Sequence, residues 1–579
     1  MKVLLIFPPI WDINLAPMLS VPLLTGMLRE EGHEAETFDV NSLFMNFIIS
    51  EEFISYVDFK MKKYSEILKT LNPQKDIDSI KYINEIRYFL SQNSNFFVGF
   101  FKKFKNANEQ LKTLLDKPID EFNDFYNSIK TIVNGGFKTF YRKPENVPDE
   151  YLFFYEWDLE NLIKNIKDLN PDLIGFSVYS YDQFEWSLNL SKKIKKYMSA
   201  KIVFGGTQIT DYRNAIKQIP DIFENCVDAF IYGEGEIAFK KIANNEQFQT
   251  IPNIIFKDSD GIIKINQVDK SNQKFYKPDY KQNADEDFVV NNLKTDGNLQ
   301  SSKFYKPDYT GINLSKFFVP KTVLPIETSR GCYWHKCEFC TFMDCISYKQ
   351  KNVDDMIEEL KEYVYKMNVN HFFVSDAAMH PEYAKEFARK IIENNLKIYY
   401  LTDLRLEKEF DYNLLKLMYD SGLRIILWGL ESGSDRILKL YNKGTTVENN
   451  SRVIKTASEV GIFNWCWTMI LFPQETVEEM YMTKQFLVDH YKYIDYISLH
   501  NYTYLPTSPI AQHPDDFGLT EYLVKISEKD NSLAFKAPQG LFAEAEKIRR
   551  EIFKIYEPKM SLYPDDLSCQ LLRRAKERP

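Results

Sequence analysis

After residue 323 the chain repeats one pattern six times: a short apolar run, then a longer segment with helical spacing. The runs are "VLPIETS", "HFFVSDA", "IYYLTDL", "RIILWGL", "NWCWTMILF" and "YISLHNYTYL". Runs this short and this apolar suit strands buried on both faces of a parallel sheet. Segments such as "VDDMIEELKEYVYKM" and "ETVEEMYMTKQFLVDHY" supply the crossover helices. Such alternation confines the chain to an α/β architecture. Six units are too few to close an eight-stranded barrel, so an open, partial (βα)6 barrel is expected over 323–514. Its chemistry would sit at the C-terminal ends of the strands.

A second α/β rhythm opens the chain. "KVLLIF" reads as a buried strand. In "LLTGMLREEG", Leu23, Leu24, Met27 and Leu28 share a helical face, with Gly32 placed to cap it, and "EAETFDV" alternates like a strand. The rhythm returns in "DLIGFSV", "KIVFGG" and "VDAFIYGEGE". One doubly wound, Rossmann-like domain is therefore expected over 1–42 and 166–250. It would be split by a helical insertion over 43–165. There Ile77, Ile80, Ile83, Ile86 and Leu90 mark one face and Phe53, Val57 and Met61 another, with breaks at Asn72-Pro73 and Gly135-Gly136. Residues 251–322 read as a polar linker. "KFYKPDY" occurs in it twice, at 274–280 and 303–309, a single duplication in a tolerant loop rather than a repeat array. A helical tail is expected over 515–579.

With 579 residues the chain is too long for one core. Its 44% apolar and 27% charged residues are those of a folded domain protein. Net charge is −9 with no long basic run, so no nucleic-acid partner is expected. The opening "MKVLLIFPPIW" is short, carries Pro8 and Pro9 and lacks a small-residue cleavage site, which favours a strand over a signal peptide. No window holds the roughly 18 apolar residues a membrane span needs. A cytoplasmic location follows, where thiols stay reduced. Of seven cysteines four are clustered, which points to metal rather than disulfides.

The cluster lies in "RGCYWHKCEFC", on the loop after the first barrel strand. Cys332, Cys337 and Cys340 are its candidate metal ligands. Zinc would need a fourth ligand, from Cys345 or His335, and its short knuckles normally pair across a longer spacer. Here all candidates fall within 14 residues of one loop. An iron–sulfur cluster takes thiolates, and three of them leave one iron open. Cys345 reads rather as a small core residue, and the isolated Cys226, Cys466 and Cys569 as buried apolar ones.

"TSRGCYWHKCEFC" resembles the cluster loop of radical SAM enzymes. The resemblance implies a [4Fe–4S] cluster on Cys332, Cys337 and Cys340, S-adenosylmethionine on the open iron, and Phe339 near the adenine. The family's gaps are three and two residues; here they are four and two. Tyr333 to Lys336 are therefore expected to bulge outward while the three sulfurs converge. "LWGLESGSDRILKLYNKGTT" is similar to the fourth-strand motif, implying that Glu431 binds the ribose and that Ser432 and Gly433 line the pocket. "LFPQET" resembles the fifth-strand turn, Pro473 to Thr476, with Leu471 and Gln474 where glycines are usual. Arg405 and Asp376 match polar positions on the third and second strands that face the cofactor.

The N-terminal segments resemble the cobalamin-binding domain found ahead of many radical SAM domains. Pro9, Ser177, Gly205, Gly206, Gly233, Glu234 and Gly235 are the implied contacts. No His stands in "PPIWDINLAP", so cobalamin would bind without a protein His ligand. His33 reads as a surface residue. His380 and His500, and likewise Tyr179, Tyr181 and Tyr502, read as structural groups near strand ends. The joint resemblance implies C-methylation at an unactivated carbon, using a 5′-deoxyadenosyl radical and methylcobalamin. Rearrangement, cyclisation or oxidation without methyl transfer would fit the same residues, and a zinc-stabilised binding protein is the rival of another class. A small-molecule or peptide substrate and a one-electron reductant such as flavodoxin or ferredoxin are the implied partners.

Overall fold

The computed structural model describes residues 1–9, 16–103 save 49, scattered positions between 117 and 157, 159–268 save 217, 218 and 225, 304–341, 348–525, 533–561 and 567–577. The chain forms two compact units. One comprises Met1–Asn266, Pro307–Pro325 and Glu557–Pro579, the other Gln267–Lys306 and Ile326–Tyr556.

In the first unit, β1 (Lys2–Phe7), α1 (Ser20–Glu30) and β2 (Glu34–Asp39) come first. Among the described residues four helices follow: α2 (Val40–Ile48), α3 (Glu51–Thr70), α4 (Ile77–Lys103) and α5 (Leu159–Leu169). The α/β order resumes with β3 (Leu173–Ser177), α6 (Tyr181–Lys195), β4 (Lys201–Gly205), α7 (Thr207–Ile216), β5 (Ala229–Ile231) and α8 (Glu236–Ala243). Strand order is β2-β1-β3-β4-β5, all parallel, with a topological switch between β1 and β3. Gly32 caps α1 as expected, at φ +84°, and the His33 N–H donates back to Leu28 O at 2.9 Å.

Two boundaries differ from the expected ones. The sheet continues past residue 250 into antiparallel β6 (Ile254–Lys257) and β7 (Ile263–Ile265). They are joined by a turn in which Asp258 accepts from the Asp260 and Ile262 N–H groups and Gly261 takes φ +78°. Nor is 307–325 a free linker. Asp308 N–H donates to Pro22 O, and Arg29 donates to Asp308 and Thr310, each at 2.7 Å. Tyr309 is 2% exposed and its hydroxyl donates to Pro325 O at 2.5 Å. The second "KFYKPDY" copy thus ends in a docked Pro307-Asp308-Tyr309; the first lies outside the described residues.

The insertion is helical where described, and α2 starts directly at Val40. Its core is aromatic: Phe44 meets Trp157 at 4.8 Å, and Phe153 meets Phe154 at 4.7 Å. Ile83, Ile86 and Leu90 of the expected stripe are buried, but Ile77, in the first turn of α4, is 59% exposed. The Asn72-Pro73 break separates α3 from α4; Gly135-Gly136 lie outside the described residues.

The second unit is built on a six-stranded sheet of β8 (Val323–Ile326), of which only Ile326 falls within the unit, β11 (His371–Val374), β12 (Tyr399–Leu404), β13 (Leu423–Glu431), β14 (Phe463–Ile470) and β15 (Tyr496–Asn501). They lie side by side in chain order, and β11 to β15 pair in parallel. This is the expected six-stranded partial barrel. Helices α9 (Val353–Met367), α10 (Pro381–Glu393), α11 (Tyr412–Asp420), α12 (Asp435–Leu440), α13 (Val447–Val460) and α14 (Val477–Asp489) link the strands. A two-residue ladder, β9 (Ser329–Arg330) with β10 (Lys349–Gln350), closes the neck of the cysteine loop. The C-terminal region is not purely helical. An antiparallel pair, β16 (Leu523–Lys525) and β17 (Leu533–Phe535), precedes α15 (Gln539–Met560) and α16 (Leu567–Glu577). Among the described residues no helix is long and apolar enough to cross a membrane.

The docked tyrosine gives a stability test. Tyr309→Ala should cost about 3–5 kcal/mol in denaturant unfolding of the full chain, through the cavity it leaves. Tyr309→Phe should cost only about 1 kcal/mol, the worth of one hydrogen bond.

Candidate functional site

The cysteine loop is held at its root by Asp376, just beyond β11. Its two oxygens accept from Thr328 N (2.8 Å), Ser329 N (3.0 Å), Ser329 Oγ (2.9 Å) and Thr328 Oγ1. Four donors fill a carboxylate's lone-pair sites. Asp376 therefore anchors the loop, and the expected contact with the cofactor is not available to it. Burial pushes its pKa up to about 6 against these hydrogen bonds. Beside it, Arg330 grips Glu327 with two bonds of 2.8 and 2.7 Å.

Within the loop, Cys337 is buried and Cys332 and Cys340 are half-buried. The expected outward bulge is absent. The Tyr333 hydroxyl donates to Glu407 at 3.1 Å, and its ring meets His380 at 4.8 Å. Trp334 donates from Nε1 to Asn442 O at 2.7 Å, and the Arg405 guanidinium lies 4.4 Å from its ring centroid. The additional residue is accommodated because His335 takes a left-handed φ of +50° and turns the chain within the loop. Both rings carry more apolar surface than a short loop can leave in water.

Residues 441–444 receive this loop one after another. Tyr441 O accepts from Glu338 N (3.0 Å), Asn442 O from Trp334, and Lys443 O from Arg405 Nη2. At Gly444, φ +73°, a Cβ would stand 2.1 Å from Trp334. Lys443 points back to Glu431, 2.7 Å away. Arg405 binds Glu407 at 2.6 Å and lies 3.9 Å from Cys337 Sγ. Burial raises the Cys337 thiol, and the nearby Lys443 and Arg405 charges act against that rise. Elsewhere in the chain, burial raises Cys226 to about 11 against the charges of Lys192 and Lys195. Cys345 lies outside the described residues.

The donor set fits an iron–sulfur cluster. A thiolate cluster is anionic, and Cys337 stands beside two buried cations. Among the described residues no three His, Cys, Asp or Glu side chains are grouped to hold a single metal ion. One tetrahedral ion would draw its ligands within about 2.0–2.3 Å of one point. A cubane places each thiolate on a different iron.

Around the loop the strand ends are bent into unusual backbone. Glu431 ends β13 at φ +62°, and Leu471 and Gln474 after β14 take φ +67° and +66°. Side chains raise the energy of this region by roughly 1–2 kcal/mol per residue. Leu471 and Gln474 thus keep the conformation glycines would give, although this chain lacks the glycines. Pro473 is buried in the turn between them. Phe339 packs edge-on against Tyr441 at 5.3 Å. Ser432 and Gly433 pack against the helix that follows β14. Ser432 Oγ lies 3.1 Å from Thr483 Oγ1, Gly433 N–H donates to the same oxygen, and a Cβ at Gly433 would stand 2.7 Å from Met482 O. Both are docked onto α14.

In the first unit the implied cobalamin contacts divide by cause. Gly206 is demanded by the fold, since at φ +105° a Cβ would stand 2.3 Å from Val178 O. Gly205 and Gly235 are not: the nearest atoms to an added Cβ are 3.8 and 4.0 Å away. A methyl would fit there, so protein packing does not account for these glycines and a ligand approaching the backbone would. Gly233 takes φ +68° and donates to Thr210 Oγ1 at 2.9 Å. Ser177 Oγ lies 2.8 Å from Ser20 Oγ, Glu234 O accepts from Asn253, and Pro9 is buried beyond β1.

Four residues escaped the sequence-level search: Lys443, Gly429, Asp403 and Glu475. Gly429 left a signal, a glycine inside a branched strand; a Cβ there would stand 2.6 Å from Lys443 Nζ. Glu475 is 3% exposed and its Oε1 has no partner, while Oε2 accepts from Phe472 N at 3.0 Å. Burial raises its pKa from 4.5 to about 8. The folded carboxyl keeps its proton to about 8 where the unfolded chain releases it near 4.5, so stability falls as pH rises across that window. Glu475→Gln should remove this loss. It should be more stable than the parent by on the order of 3 kcal/mol at pH above 8, with the gap closing toward pH 5, read by thermal melts at each pH.

Residues 326–487, which span most of the six-stranded unit, match the model of the Radical SAM superfamily. A putative methylthiotransferase of Methanocaldococcus jannaschii is 25% identical over 55% of this chain and 66% of its own length. The cytidylyl-2-hydroxyethylphosphonate methyltransferase of Streptomyces wedmorensis is 24% identical over 64% of this chain and 70% of its own. The chain spans about two thirds of the length of such relatives. In fold it resembles the radical S-adenosylmethionine methyltransferase TsrM of Kitasatospora setae, solved with cobalamin and a [4Fe–4S] cluster bound. The TM-score is 0.54 at 14% identity, over 95% of this chain and 91% of that one. Residues 326–487 of the six-stranded unit thus carry the match to the Radical SAM superfamily, and the relatives and solved structures are what the chain resembles.

Proposed function

We propose that the chain is a cobalamin-dependent radical SAM enzyme that transfers a methyl group to an unactivated carbon. The observation that carries this is the cysteine loop, with Cys337 flanked by Arg405 and Lys443 at the C-terminal ends of parallel strands. Cys332, Cys337 and Cys340 would hold a [4Fe–4S] cluster, with S-adenosylmethionine on the open iron and cobalamin in the first unit against Gly205 and Gly235. Bound there, these groups supply one-electron cleavage of S-adenosylmethionine and a transferable methyl. An external one-electron donor of the flavodoxin or ferredoxin kind completes the electron supply.

The chain's own residues set the stage for that chemistry. Arg405 donates toward Cys337 and is itself fixed by Glu407, Lys443 O and the Trp334 face. Glu431, held by Lys443, keeps a second carboxylate oxygen for ribose hydroxyls. Phe339, packed on Tyr441, presents an apolar edge beside the adenine.

Anaerobic reconstitution tests this directly. The parent should take up iron and sulfide and form 5′-deoxyadenosine, and Cys337→Ala should lose both, whereas Cys345→Ala should keep both. Full iron and cleavage in Cys337→Ala would sink the assignment. Lys443→Met should lower S-adenosylmethionine cleavage about 10–100-fold, the usual cost of removing a supporting contact. Bound cobalamin should show the absorption spectrum of a form without a His ligand. A product heavier by one CH₂ separates methylation from rearrangement, cyclisation or oxidation.

A further inference from the structure

One face of the six-stranded sheet is covered by helices. Tyr363 of α9 meets Phe372 at 6.2 Å, Phe387 of α10 meets Tyr400 at 5.7 Å, and Phe410 meets Trp428 at 5.8 Å. Strand alternation puts the other residues on the opposite, concave face: Asp403 on β12, Gly429 and Glu431 on β13, Trp465 and Trp467 on β14, Tyr496, Ser498 and His500 on β15. On that face Asp403, Gly429, Glu431 and Trp467 are partly exposed and His500 is exposed.

Its β14–β15 side carries a continuous aromatic strip. Trp465 meets Tyr496 at 4.1 Å and donates from Nε1 to Ser498 Oγ at 2.8 Å. Trp465 and Trp467 are stacked at 6.3 Å and 29°, Trp467 and His500 at 5.9 Å and 27°. Trp465 is buried, but Trp467 is half-buried and His500 is exposed, so the strip runs from core to open surface. Trp467 lies opposite Gly429, which has no side chain to obstruct it, and its indole stands near the Asp403 carboxyl. Burial pushes that carboxyl up to about 7, and the neighbouring Trp467 indole acts against the rise. Glu431 and its partner Lys443 stand on the same strand face as Gly429.

We infer that Trp467, His500 and Asp403 form the substrate platform, and that it takes a flat aromatic or heteroaromatic ring bearing an N–H or O–H donor. The ring lies on the Trp467 and His500 faces, and its donor bonds to the Asp403 carboxyl. That the ring is the group acted upon rests on the proposed radical function; the binding itself does not.

The test uses the full chain, reconstituted anaerobically with S-adenosylmethionine, and three probes of similar size: indole, 1-methylindole and cyclohexylmethanol. Ligand-observed NMR titration should rank them in that order, with cyclohexylmethanol unbound. Trp467→Leu and His500→Ala should each weaken both indoles about tenfold, the loss of one stacked face. Asp403→Leu should bring indole down to the level of 1-methylindole. His500 is exposed, so His500→Ala tests the strip without threatening the fold. Equal binding of all three probes, binding of none, or parental binding by His500→Ala and Trp467→Leu would overturn the platform. Iron and 5′-deoxyadenosine are read on the same parent sample. If they are missing while the probes keep their order, the radical assignment fails and the platform stands.

Discussion

The ion pair between Lys443 and Glu431 is the contact on which the second unit's chemistry hangs. Both side chains are nearly sealed from water, at 7% and 13% exposure. Taking such charges out of water costs several kcal/mol each, and removing one partner of a buried pair costs about 3–5 kcal/mol. The pair is therefore held from every side. Gly429 must lack a Cβ to leave room for the ammonium. Glu431 must enter the left-handed region to aim its carboxylate. The Lys443 carbonyl must stay in place because Arg405 donates to it. Through Arg405 the same constraint reaches Cys337, and through Asn442 and Gly444 it reaches Trp334 of the cysteine loop.

Backbone strain in this unit collects where the strands meet the loop. Glu431, Leu471, Gln474 and His335 all adopt positive φ. Their surroundings fix them. The Leu471–Gln474 turn is closed by Glu475, whose carboxylate accepts from Phe472 N, and by Arg436, which donates to Gln474 O at 2.7 Å and to Glu479. Glu479 in turn completes a capping box with Thr476 at the start of α14. The helix that anchors Ser432 and Gly433 thus also secures the turn where glycines are absent. One helix start serves two strand ends, which explains how the chain tolerates leucine and glutamine at positions suited to glycine.

The six barrel strands were legible because each is apolar on both faces and bounded by polar turns, a pattern that survives without tertiary information. Phe339 and the three cysteines could be singled out as candidates because their spacing is local in sequence. Lys443 was not. A lysine after a helix looks like any solvated charge, and only the fold brings it to Glu431, twelve positions back. The docking of Tyr333 and Trp334 was missed for the same reason: their acceptors, Glu407 and Asn442, lie far along the chain. β6 and β7 were lost inside a polar stretch, although the "KDSDG" turn between two isoleucine-rich runs marks a hairpin. Asp376 was found, but its task was misjudged, because sequence shows a carboxylate and not the four donors already directed at it.

Glycine shows how far such reasoning extends. Gly206, Gly422 and Gly433 would each clash with backbone at 2.0–2.7 Å if given a Cβ, so the fold itself demands them. Gly205 and Gly235 meet nothing closer than 3.8 Å, and neither takes a positive φ. Packing does not explain why they lack side chains, although Gly235 is the N-cap of α8, a position where glycine is favoured. Gly205 is the last residue of β4 and Gly235 lies in the loop after β5, at the end where ligands approach α/β domains. This makes Gly205 and Gly235, rather than the more constrained Gly206, the stronger indication that the first unit receives a large ligand against its backbone.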